Sequence, residues 1–113
     1  PLEFKICYDV DHGDLMSKND DDINPYKWLN EFPNEISYIH LKQSTKNKGG
    51  HWPFIEQYNR IGKINPNEII KKLNQISLNV PLILELSFKE REPFDSLVID
   101  QIAESINYWK QYL

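Results

Sequence analysis

Three short apolar runs, each followed by a stretch with helical spacing, constrain the class of fold open to this chain. Residues 3–10 read as a buried strand, being a short apolar run with little alternation. Glu35–Leu41 and Pro81–Phe88 repeat that character. Asn24-Pro25 opens the first helix pattern: Asn is a good N-cap, and Pro is pre-set for the first helical position. Tyr26, Trp28, Leu29 and Phe32 supply its apolar stripe, and Pro33-Asn34 ends it. Asn65-Pro66-Asn67-Glu68 opens the second, with Glu68 placed to close a capping box, and Ile69, Ile70, Leu73 and Ile76 fall on one face. Asp95 can cap the third, where Val98, Ile102, Ile106, Trp109 and Leu113 recur at helical spacing. Such alternation predicts a parallel sheet covered by helices.

Three βα units cannot close a barrel and would leave two strand edges open. The fold is then either a small open α/β sheet or one section of a (β/α)8 barrel, for which about 250 residues are typical. The chain is one domain at most. It starts at Pro1 and runs straight into a strand, so a piece of something longer is expected.

Each apolar run carries one good metal ligand at or near its C-terminal end: Asp9, His40 and Glu85. In a barrel, site residues sit at those strand ends. Asp9 opens the run Asp9-Val10-Asp11-His12, in which His12 can turn back over the same mouth; the alternative is a solvated loop with Asp9 capping a turn. His40 reads either as a ligand or as a hydrogen-bonded core histidine. Lys42 shares its strand face, since side chains two apart point the same way, and so places a cation beside that imidazole. Glu85 stands between Leu84 and Leu86 in a run with no other charge, where a carboxylate needs a cation or a strong donor. Two carboxylates and an imidazole suit Mn²⁺ or Mg²⁺, with Co²⁺ and Zn²⁺ as lesser candidates.

The remaining features narrow the partners. Net charge is −4, so the chain lacks the phosphate attraction that drives nucleic-acid binding; Lys42, Lys46 and Lys48 come closest to a basic cluster. Cys7 is the only cysteine, which excludes an internal disulfide; it is expected to pack as a small hydrophobe in a reducing, cytoplasmic setting. No segment has the length and apolarity of a membrane span. A polar loop is expected from His12 to about Ile23. A longer one, from Gln43 to Ile64, holds Gly49-Gly50 and the aromatics Trp52, Phe54 and Tyr58, and reads as a lid over a small polyol or as a loop packed down by its own rings.

From Phe4 to Leu113 the chain resembles the C-terminal portion of the xylose isomerase-like TIM-barrel family of sugar and sugar-phosphate isomerases and epimerases. The resemblance rests on Asp9 and His12 for D-x-x-H, on His40-Leu41-Lys42 for H-L-K, and on Leu82-Ile83-Leu84-Glu85 for L-x-L-E. It implies a partial TIM barrel, strands six to eight with their helices, within one barrel domain. It also implies Asp9, His40 and Glu85 as metal ligands, Glu85 as acid/base group, and His12 on a substrate hydroxyl or carbonyl. The activity implied is proton transfer next to a carbonyl through an enediolate, acting on a small sugar or sugar phosphate in a homo-oligomeric enzyme. The family's fourth ligand, a Glu on strand four, has no counterpart here. Many members read H-L-K-D where this chain has Gln43. Lys42, His51 and Arg91 are further candidates for substrate contact; His51 and Arg91, like Trp52 and Arg60, match no motif and are placed only by position near the strand ends. AP endonucleases of the same superfamily need a D-x-H after strand seven, and Gly50-His51-Trp52 has no such Asp. A non-catalytic barrel of the same shape is the other alternative.

Overall fold

The computed structural model describes residues 3–10, 24–45, 50–88 and 95–113. His12, Arg91, the acidic loop, Lys46, Lys48 and the charged turn before the last helix lie outside them. The elements are β1 (Ile6–Asp9), α1 (Pro25–Glu31), β2 (Ile36–Leu41), α2 (Glu56–Asn59), α3 (Pro66–Gln75), β3 (Leu82–Leu84) and α4 (Asp95–Lys110). The strands form a parallel sheet in the order β1-β2-β3, as the strand–helix alternation predicts.

A one-residue slip decides which side chains share a face. Ile6 pairs with Ile36, but Cys7 pairs with Tyr38, so Ser37 is bulged out of register. Without that slip the rest of β2 would present its other face. With it, Tyr8, Val10, Ile39 and Leu41 turn under the helices, joining Leu29, Ile69, Leu73 and Trp109 in the core. Asp9 and His40, direct partners in the ladder, turn to the opposite face together. Cys7, Tyr38 and Ile83 share that face and are exposed, so Cys7 is not the buried hydrophobe expected of it.

Local chemistry explains most helix boundaries. The Asn24 side chain accepts from Tyr26 N at 2.9 Å, and that of Asn65 from Asn67 N at 3.0 Å, which starts α1 and α3 where the Asn-Pro pairs predict. The Glu68 carboxylate does not close a capping box; it takes the Tyr26 hydroxyl instead, joining α1 to α3. Ser77 ends α3 at φ 54°, with Leu78 N donating to Leu73 O at 2.9 Å in a Schellman closure that usually employs glycine.

Two elements depart from expectation. β3 covers only three residues and stands at the edge of the described sheet, so Glu85 follows a strand rather than sitting inside a central one. α4 begins at Asp95 itself, and it buries Ser105 and Trp109 while Ile102, Ile106 and Leu113 stay exposed. Ser105 is drawn inward by hydrogen bonding: its hydroxyl donates to Gln101 O at 2.7 Å and accepts from Phe54 N at 2.9 Å. Phe54, fully buried, meets Trp109 edge-on at 5.2 Å. Among the described residues no helix is long and apolar enough to cross a membrane.

Candidate metal centre

Each apolar run ends where a polar side chain can lean over the sheet's C-terminal edge. Asp9 closes β1 and is held beside His40 by the ladder, with Val10 N donating to His40 O at 3.2 Å. Glu85 sits one step past β3, its N–H bonded to Leu41 O at 2.9 Å. It is two residues beyond Ile83, the ladder partner of His40, so pleating returns it to the same face. One ligand atom from each of Asp9, His40 and Glu85 lies within 4.8 Å of the other two.

Two further side chains enter this cluster. Lys42 is almost fully buried, and its Nζ lies 2.9 Å from Asp9 Oδ2 and 3.9 Å from Glu85 Oε2. Its ammonium also reaches His51 Nε2 at 3.2 Å. An ammonium has only donors, so that imidazole nitrogen must accept, which places the His51 ring proton on Nδ1. His51 Nε2 and His40 Nδ1 stand 3.7 and 3.4 Å from Glu85 Oε2. Lys42 and His51, named from sequence as substrate-contact candidates, therefore come together with the three ligand candidates; His12 and Arg91 are outside the described residues.

The donor set fits a divalent ion. Glu85 Oε2 is buried and accepts no hydrogen bond, although three nitrogens surround it at 3.4–3.9 Å. A buried carboxylate oxygen in that position is well matched to a cation. Bonds of roughly 2.1 Å put two ligands of one ion no more than about 4.2 Å apart, so the side chains need close by only about half an ångström. Charge balance is also workable: two carboxylates face one ammonium, leaving negative charge for the ion to meet.

Sequence spacing missed Gln43 and Ser87. Gln43 is fully buried and pins the 50–64 loop to the end of β2. Ser87 N donates to His51 O at 2.9 Å, tying the same loop to the segment after β3. No local pattern signals either role, because the partners are distant in sequence. The loop's rings pack it down rather than forming a lid: Trp52 lies 5.0 Å from Tyr58, and Phe54 is in the core.

No protein-family model matches the chain. It is 45% identical over 106 residues, 93% of its length, to the D-erythrulose 1-phosphate 3-epimerase of Brucella abortus (strain 2308). It spans 34% of that curated relative. Among solved structures it superposes on a putative xylose isomerase from Rhodospirillum rubrum with a TM-score of 0.79 at 16% identity, covering 96% of this chain and 36% of that one. The fold is that of part of a xylose isomerase-like TIM barrel, and the resemblance to its sugar isomerases and epimerases holds.

Proposed function

We propose that this chain, as part of a xylose isomerase-like barrel, serves a metal-dependent epimerase or isomerase whose substrate is a small ketose phosphate. The observation that supports this most is the convergence of Asp9, His40 and Glu85, from three successive parallel strands, to within 4.8 Å. Similarity to an enzyme named as acting on D-erythrulose 1-phosphate favours the epimerase and the phosphorylated substrate.

In this reading Asp9, His40 and Glu85 hold the ion, Mn²⁺ or Mg²⁺ before Co²⁺ or Zn²⁺ on the two-carboxylate donor set. When bound, such an ion supplies Lewis-acid stabilisation of negative charge developing on a carbonyl oxygen and its neighbouring hydroxyl. Glu85 would take or return the proton at the carbon beside the carbonyl on one side, with the family's strand-four Glu, from the part of the barrel outside this chain, working the other, so an enediolate separates the two sugars. Lys42 holds the Asp9 carboxylate in place across 2.9 Å and is a candidate donor to substrate oxygens. His51 stands across from Glu85 as a second polar contact for the sugar. His12 would hold a hydroxyl or carbonyl on the strength of its motif, and Arg91 the phosphate on the strength of its loop position.

The test uses the protein that carries this chain, with D-erythrulose 1-phosphate as first substrate. Chelation should abolish activity and added Mn²⁺ restore it. Glu85→Gln should lower turnover by about 10³-fold with the fold retained by circular dichroism. An active Glu85→Gln enzyme would remove the mechanism.

A further inference from the structure

Gln43 takes no part in the chemistry above, yet its side chain is one of the most thoroughly satisfied groups in the chain. Its backbone bridges Trp52 in both directions, Gln43 N to Trp52 O at 2.9 Å and Trp52 N to Gln43 O at 3.1 Å. Its carboxamide reaches the far end of the same loop. Oε1 accepts from Ile64 N at 3.0 Å and Ser44 N at 3.1 Å. Nε2 donates to Ile64 O at 2.9 Å and Asn59 Oδ1 at 3.2 Å. Accepting from and donating to one residue's backbone suits a carboxamide; a carboxylate lacks the donor and an ammonium the acceptor. Gly62 leaves the space this requires, since a Cβ there would lie 2.1 Å from the Gln43 carboxamide carbon.

One residue thus ties both ends of the 52–64 segment to the strand end that carries the site. His51 is the residue immediately before the bridged Trp52, and its own carbonyl is held by Ser87 N on the other side. Its imidazole is thereby set 3.2 Å from Lys42 Nζ and 3.7 Å from Glu85 Oε2.

We propose that Gln43 is a positioning residue: its carboxamide braces the 50–64 loop as a fixed wall and so holds the His51 imidazole over Glu85. The brace stands on geometry alone; its effect on catalysis rests on the reading that His51 meets the substrate. Gln43→Leu removes the carboxamide at similar bulk, Gly62→Ala displaces it without altering Gln43, and Gln43→Asn shortens it. Two readouts separate the brace from the chemistry: the ¹⁵N resonances of the His51 ring, assigned by their loss in His51→Ala, and steady-state kinetics with D-erythrulose 1-phosphate.

Gln43→Leu and Gly62→Ala should each shift the His51 resonances and raise KM about tenfold, as for one lost well-placed hydrogen bond, with kcat changed less than about threefold. Gln43→Leu combined with His51→Ala should be no worse than His51→Ala alone, because both act through one imidazole. His51 resonances unmoved in folded Gln43→Leu protein would overturn the proposal, as would effects that multiply in the double variant. If the resonances move but His51→Ala has wild-type kinetics, the brace stands and the substrate role of His51 falls. Should Gln43→Leu fail to fold, Gly62→Ala and Gln43→Asn decide the question by the same resonances.

Discussion

Replacing Lys42 with Met should make the stability of this protein depend on a divalent ion. The Lys42 ammonium and Asp9 carboxylate are 2.9 Å apart, with side chains only 2% and 6% exposed. Removing one partner of a buried ion pair leaves the other charge uncompensated and costs about 3–5 kcal/mol. For a protein of a few hundred residues, 3 kcal/mol is a fall in Tm of roughly 5 °C. A bound divalent ion would supply the missing positive charge. It would also bind the variant more tightly, because an ammonium about 4 Å from a divalent ion repels it by at least ~2 kcal/mol even at water's dielectric constant, or roughly thirtyfold in affinity. The 3.9 Å between Lys42 Nζ and Glu85 Oε2 shows how close the ammonium stands to the ligand set. The assay is thermal unfolding of wild type and Lys42→Met, each with EDTA and with excess Mn²⁺. The variant should melt well below wild type in EDTA and recover most of the difference in Mn²⁺. Equal melting in EDTA, or equal stabilisation of both proteins by Mn²⁺, would refute the reasoning.

Other perturbations test the surrounding fold. Ser77→Gly should stabilise by about 1 kcal/mol in a urea titration, because φ 54° strains a residue with a Cβ and suits glycine. Burial, and then the Glu68 carboxylate, push the Tyr26 phenol above its ordinary pKa, so the folded state favours the neutral ring. That contribution is intact below about pH 10 and is lost above it, where the unfolded chain ionises first. Tyr26→Phe should therefore cost about 1 kcal/mol at neutral pH and show a flatter decline of stability above pH 10 than wild type; parallel declines would count against it.

The strand–helix order was legible because period and caps are local signals: Asn24-Pro25 and Asn65-Pro66 start helices where their side chains accept the first free amides. The convergence of Asp9, His40 and Glu85 was legible because parallel strands align their C-terminal ends. What stayed hidden depended on partners far along the chain. The Ser37 slip, which lets Ile36 and His40 point to opposite faces, follows from pairing with β1 rather than from any property of Ser37. Glu68 met Tyr26 instead of its own helix end, and α4 turned Ser105 inward because Phe54 N needed an acceptor. Gln43 looked like a missing aspartate in a motif, and became a brace only once Ile64 was beside it.

The central claim is that Asp9, His40 and Glu85 hold one divalent ion between them. Electron paramagnetic resonance of Mn²⁺ titrated into the protein that carries this chain, beside its His40→Ala variant, tests it most directly. The account predicts one bound Mn²⁺ per chain in wild type, with affinity lowered by at least about tenfold when the imidazole is removed. Wild-type protein that leaves Mn²⁺ free, or a His40→Ala variant that binds it equally well, would contradict it.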